Sequence, residues 1–212
     1  MLMLFHCKSN ALAVVIGAGA VGQRKVGILV EAGYRVRWVD PLLSNVIHAE
    51  RESVEAIPSA YCSSFLHQAD LVVACTNSPH TQECIVADAL KMNILVCDSV
   101  TPTNGSVLFP ATWSTGPVHV ACSTAGASPF FAAGLLKAMT TGLPTELSSF
   151  VELLAELRVE LRSRVPDEPT RKLWMRHFSR MEHLARLETE GIAALRAAAF
   201  AELAARARPP EG

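Results

Sequence analysis

Leu12-Ala13-Val14-Val15-Ile16-Gly17-Ala18-Gly19-Ala20-Val21-Gly22 decides the fold. Five apolar residues read as a buried strand, three glycines follow in the spacing GxGxxG, and a helical pattern from Val21 to Ala32 continues without a break. Each glycine has a task in that setting. Gly17 permits the tight turn, Gly19 lets backbone approach a pyrophosphate, and Gly22 lets the helix pack close to the strand. The helix start, with Ala20 and Val21, then turns free N–H groups toward phosphate. The next strand, Arg35 to Val39, ends at Asp40, 18 residues after Gly22. A carboxylate there accepts hydrogen bonds from an adenosine ribose, flanked by Pro41 and Leu42, and repels a 2'-phosphate. NAD is therefore expected over NADP.

Working outward, strands are predicted at Leu71 to Ala74, Ile94 to Val96 and Val118 to Cys122, and helices at Thr81 to Lys91 and Pro129 to Thr140. Strand and helix in alternation predict an α/β, Rossmann-type doubly wound parallel sheet. Thr76 and Asn77 follow a strand and fall on the carboxyl edge where such sheets bind ligands, although the segment is also good turn chemistry. Of the 39 charged residues, 17 lie in residues 1–145 and 22 beyond, which sets a composition boundary near Gly142-Leu143-Pro144. Downstream, amphipathic helices are predicted over Leu147 to Val165, Thr170 to Leu187 and Ile192 to Ala205, with Pro166-Asp167-Glu168-Pro169 as a stop and a frayed Arg-Pro-Pro tail. The expected organisation is a dinucleotide-binding Rossmann domain over 1–112, a dimerisation segment over 113–145 and a helical C-terminal domain over 146–212.

Half of the 212 residues are hydrophobic and the mean hydropathy is +0.26, which excludes global disorder. A formal charge of -1 supplies no overall basic field for nucleic acid or anionic lipid. No apolar run is long enough to span a membrane, and Met1 to Lys8 lacks the basic start of an export signal. Cys7, Cys62, Cys75, Cys84, Cys97 and Cys122 form no CxxC pair, as expected for reduced thiols in a cytoplasmic protein. His80 and Cys84 share a helix face, but two donors without a third make no metal site, and no metal is expected. GxSxG and P-loop patterns are absent, so neither a hydrolase triad nor a kinase is indicated.

Further segments carry a family resemblance. Gly17 to Lys25, Ala74-Cys75-Thr76-Asn77, Ser106-Val107-Leu108-Phe109-Pro110-Ala111, Val120 to Pro129 and the Arg171 to Trp174 element match, in order over about 170 residues, the NAD-dependent precorrin-2 dehydrogenases of siroheme biosynthesis. The Ser123-Thr124-Ala125-Gly126-Ala127-Ser128-Pro129 piece is far more specific than the glycine loop. The resemblance implies oxidation of precorrin-2 to sirohydrochlorin with hydride transfer to NAD, a homodimer formed through the 113–145 segment, and a helical C-terminal part. It also implies a tetrapyrrole met by Ser123, Thr124, Ser128 and Lys137, with Arg171 and Lys172 as further cations or as a solvated helix face.

The chain departs from that family at two places. Val100 stands where the family carries a candidate acid/base or metal-handling Asp, and the nearest carboxylate, Asp98, is either its substitute as catalytic residue or a strand-end turn residue. The helix after Pro129 carries one cation, Lys137, where the family has arginines. Dehydrogenation without efficient iron insertion is expected; the alternative is a non-catalytic NAD- or tetrapyrrole-binding relative that acts through a partner protein.

Overall fold

In the computed structural model, residues 10–43 and 52–206 are described, and the expectations for Met1 to Lys8 and for the Arg-Pro-Pro tail lie outside them. Strands β1 (Leu12–Ile16), β2 (Arg35–Val39), β3 (Val54–Ile57), β4 (Leu71–Ala74) and β5 (Leu95–Asp98) form one parallel sheet in the order β3-β2-β1-β4-β5. Helix α1 (Ala20–Glu31) follows β1, and α2 (Pro79–Lys91) follows β4. All five residues of β1 are buried because both faces of the sheet are covered, which is why the strand reads as a continuous apolar run rather than an alternation. Ala13 and Val15 enter a core with Val26 and Leu29 of α1 and Trp38 of β2, whereas Leu12, Val14 and Ile16 join Ile85, Val86 and Ala89 of α2.

The chain moves outward from β1 through β2 to β3 and returns to β4 on the other side of β1. The strand order thus reverses between β1 and β4, at the crevice where open α/β sheets bind ligands. The Rossmann-type reading holds. Two details differ from expectation: β5 begins at Leu95 and runs on to Asp98, and β3 was not predicted. Within β3, Glu55 and Ala56 are exposed, so this short edge strand lacks the apolar run that marks β1 and β4.

The chain divides into two units, one ending at Phe109 and the other beginning at Pro110. The composition boundary near Gly142 falls inside the second, so the 113–145 segment shares a unit with the helices. That unit opens with an antiparallel hairpin of β6 (Ala111–Thr115) and β7 (Val118–Cys122) and continues through α3 (Pro129–Thr140), α4 (Leu147–Arg164), α5 (Glu168–Phe178) and α6 (Met181–Ala205). Phe150, Leu153, Leu157 and Leu161 of α4 pack with Trp174 and Phe178 of α5 and with Leu187, Leu195 and Leu203 of α6. The single helix expected over Thr170 to Leu187 is two: α5 ends at Phe178, and α6 starts at Met181. Pro169 lies in the first turn of α5, where its missing N–H costs nothing, and Asp167 Oδ2 caps that turn by accepting from the Thr170 N–H at 2.8 Å. Gly191, with φ of 76°, interrupts α6 just before the expected Ile192 start.

Candidate functional site

The glycine loop is held from below and open above. Gly17 N–H donates to the Val39 carbonyl at 3.0 Å, and the buried indole of Trp38 donates Nε1–H to the Gly17 carbonyl at 2.9 Å. Gly17 sits at φ of 119°, and a Cβ there would lie 2.3 Å from the Cys75 carbonyl oxygen. A Cβ on Gly22 would lie 2.0 Å from the Gly17 carbonyl oxygen, so that position requires glycine for close approach of α1 to the loop. A Cβ on Gly19 would meet nothing within 4 Å. Gly19 is also the residue before α1, and that helix begins without a side-chain cap or an acidic first turn. Its first amides, with Ala20 and Val21 exposed beside them, are left for an anion.

Asp40 stands next to this opening. Its Oδ2 accepts from the Ala18 N–H at 2.9 Å and its Oδ1 from the Leu42 N–H at 2.8 Å, which ties the end of β2 to the glycine loop. Each carboxylate oxygen keeps acceptor capacity for a hydroxyl. Pro41 and the exposed Leu42 follow directly, so the predicted adenosine-side residues are gathered at one edge.

On the other side of the switch point, the loop after β4 and the turn after β5 are joined through Gln82. Its Oε1 accepts from the Thr76 N–H at 3.1 Å, and its Nε2 donates to the Ala74 carbonyl and to Asp98 Oδ1, both at 2.8 Å. Asp98 Oδ1 also accepts from the N–H groups of Val100 at 2.8 Å and Thr101 at 2.9 Å. Asp98 is 3% exposed and is a strand-end turn residue in this structure, whereas the Val100 side chain is 64% exposed. Asn77 is exposed, and Thr76 Oγ1 accepts from the Ser78 N–H at 3.1 Å. Sequence reasoning had passed over Trp38 and Gln82.

Beneath the loop, Lys25 is 9% exposed, with Nζ 3.7 Å from the centre of the Phe109 ring. Burial lowers its pKa from the ordinary lysine value. Burial also pushes the Cys75 thiol up to about 12, so it stays protonated and donates to the Ile16 carbonyl at 3.1 Å. Cys97, on the same face of the sheet, is raised by burial as well. His80 Nε2 and Cys84 Sγ lie 3.9 Å apart on α2, and among the described residues no group of three such side chains is arranged to hold a metal ion.

The remaining candidates lie in the second unit. Ser123 Oγ accepts from the Ala125 N–H, Thr124 Oγ1 accepts from the Ser128 N–H and donates to the Ser128 carbonyl, and Ser128 Oγ caps α3 through the Phe131 N–H. These hydroxyls build the turn that starts α3, and those of Ser123 and Ser128 retain a proton to donate. Lys137 is exposed. Arg171 is not a free cation: Nη1 donates to the carbonyls of Val165 at 2.7 Å and Pro166 at 2.6 Å, where α4 ends. Lys172 pairs with Glu168 at 2.7 Å on the surface.

Residues 4–111 match the model of a protein family described as "Putative NAD(P)-binding". That is half of the chain. The chain belongs to this NAD(P)-binding family. The loop, the start of α1 and Asp40 all lie within the matched residues.

Among curated relatives of this NAD(P)-binding chain are siroheme synthases. One from Tolumonas auensis is 27% identical over 190 residues, spanning 89% of this chain and 41% of that protein. One from Pseudomonas putida (strain W619) is 30% identical over 173 residues, spanning 81% and 37%. The chain therefore spans about two fifths of their length. Among solved structures, the fold is similar to SirC, precorrin-2 dehydrogenase, with a TM-score of 0.77 at 17% identity, covering 95% of this chain and all of that one. No helix in the described residues is long and apolar enough to cross a membrane.

Proposed function

We propose that the chain is an NAD-dependent dehydrogenase that oxidises precorrin-2 to sirohydrochlorin. The observation that carries this reading is the open space over Gly19, bounded by the uncapped α1 amides and the Asp40 carboxylate. These groups suit a pyrophosphate and an adenosine ribose, and the carboxylate disfavours the extra phosphate of NADP. The similarity to siroheme synthases and to the fold of a precorrin-2 dehydrogenase supports the tetrapyrrole as substrate.

In this reading the α1 amides hold the pyrophosphate, Asp40 holds the ribose, and Thr76, Asn77 and the Val100 turn flank the nicotinamide half. Bound nicotinamide supplies a two-electron acceptor for the hydride. The accompanying proton leaves to water, because Asp98 is buried and Val100 has no group to take it. Ser123, Thr124, Ser128, Lys137 and the amides at the start of α3 meet the substrate carboxylates. Phe130 is 92% exposed, with Phe131 and Met139 exposed along the same helix, which supports a homodimer that buries α3. Inserting ferrous iron requires groups that strip two pyrrole protons, and with Val100 in place of a carboxylate this activity is weak or missing.

Val100 also favours a second reading, a non-catalytic nucleotide-binding relative acting through a partner. Anaerobic incubation of the purified protein with precorrin-2 and either NAD or NADP separates the two. Oxidation with NAD and much slower oxidation with NADP is the expected result. Equal rates would remove the role given to Asp40, and no oxidation with either cofactor would favour the non-catalytic reading.

A further inference from the structure

We propose that Gln82 and Asp98 are a positioning pair that locks the Thr76–Ser78 loop and the Ser99–Thr101 turn into one rigid edge for the nicotinamide half of the cofactor. The inference rests on the nicotinamide-cofactor reading above. Gln82 is 5% exposed and Asp98 3%, so neither reaches a substrate. Their hydrogen bonds nevertheless converge on the two backbone segments that do face the ligand edge.

The amide of Gln82 can sit in one orientation only. Its NH₂ faces two acceptors, the Ala74 carbonyl and Asp98 Oδ1, and its oxygen faces one donor, the Thr76 N–H. Rotating the amide by half a turn would set oxygen against oxygen twice and N–H against N–H once. The Ala74 carbonyl also accepts from the Ser99 N–H at 3.0 Å, and Asp98 Oδ1 gathers the N–H groups of Val100 and Thr101. The β4–β5 ladder ends with Ala74 opposite Asp98. Beyond that point the two segments are held together by the Ser99 N–H on the Ala74 carbonyl and by the Gln82 amide, which bridges the Thr76 N–H to the Asp98 carboxylate.

A buried polar network of this kind is costly unless every member is satisfied, and once satisfied it specifies one arrangement. Apolar packing would stabilise the sheet end equally well but would not fix the direction of the Thr76 and Val100 backbones. The network thus marks the place where backbone direction matters. Asp98 acts through that turn and not on substrate protons. The exposed Val100 side chain is carried by the same turn.

The test is calorimetric titration of the full chain with NAD and, separately, with ADP, which carries the adenosine and pyrophosphate but no nicotinamide. Asp98→Ala and Gln82→Leu should weaken NAD roughly ten- to hundredfold, in proportion to the charged hydrogen bonds lost, and shift ADP by less than about threefold. Asp98→Asn should recover most of the NAD affinity, because the amide oxygen can take the same three donors. Equal losses for NAD and ADP would indicate general destabilisation and overturn the proposal, as would unchanged NAD binding in Asp98→Ala and Gln82→Leu. A loss in Asp98→Asn as deep as in Asp98→Ala would return a direct role to the negative charge and also overturn it. Should Asp98→Ala fail to fold, Gln82→Met and Asp98→Asn carry the same contrast. Parent protein that binds ADP but not NAD, or neither, contradicts the cofactor reading and the proposal with it, an outcome distinct from failure in the variants alone.

Discussion

The indole Nε1–H of Trp38 donates to the carbonyl of Gly17 at 2.9 Å from a fully buried ring. One side chain of β2 thereby fixes the first glycine of the loop that follows β1. Beyond it, the Gly17 carbonyl has the Cys75 thiol at 3.7 Å. Trp38→Phe keeps an aromatic ring in the core and deletes the donor. It should cost about 1–3 kcal/mol of stability, read as a lower urea midpoint with an unchanged slope. An unchanged midpoint would show that the loop holds its turn without the indole.

The glycines separate folding from binding. Gly19→Val adds a side chain where the protein has nothing within 4 Å, so the variant should fold with near-parental thermal stability and lose dinucleotide binding. Gly22→Ala drives a Cβ to 2.0 Å from the Gly17 carbonyl oxygen and should instead lower the melting temperature sharply. Thermal melts beside cofactor titrations check both. A Gly19→Val variant that still bound the dinucleotide would remove the pyrophosphate from this loop.

Lys25 gives stability a pH dependence of known sign. Burial sets its folded-state pKa below the ordinary 10.5, so folding disfavours the charged amine. The neighbouring Cys97 and Cys75 work the other way, but burial is the larger influence and the net shift is downward. The penalty is full below the folded pKa and disappears as pH rises to the unfolded value near 10.5. Lys25→Met should therefore be more stable than the parent at neutral pH and lose that advantage as pH approaches 10.5. Denaturant melts across that range measure it, and a less stable variant at neutral pH would reverse the sign.

Thiol reactivity should follow the same physics. Cys62 is exposed and its pKa is lowered by hydrogen bonding with Ser64, whereas burial raises Cys75 and Cys97. Limited alkylation at neutral pH, read by peptide mass spectrometry, should modify Cys62 before either of the others. Early labelling of Cys75 would mean that the floor of the glycine loop opens in solution.

How legible each part was depends on where its signal lay. β1 and β4 could be placed to the residue because strands covered on both faces read as unbroken apolar runs, β2 because Val36, Trp38 and Val39 mark a strand between the end of α1 and Asp40, and the glycine loop because its spacing has a steric reason at each position. β3 was hidden by its exposed edge. The break at Ser179-Arg180 was hidden because the apolar periodicity of α5 runs on in phase into α6. Gln82 had a signal that went unread: it shares a buried stripe with Ile85, Val86 and Ala89, and an amide in an apolar stripe must find partners inside the protein. Trp38 carried a similar one, since a buried indole N–H needs an acceptor. Arg171 read as either a ligand cation or part of a solvated helix face, and neither reading foresaw its hold on the end of α4, which depends on a turn that sequence spacing does not reveal.

The central claim is that this chain moves a hydride from precorrin-2 to NAD. Its most direct test is a single anaerobic incubation of the purified protein with both compounds, following the absorbance of NADH and of sirohydrochlorin together. The account predicts that the two rise in equal amounts as precorrin-2 is consumed, and that the Gly19→Val protein produces neither. Absence of both products above a control without protein would contradict it.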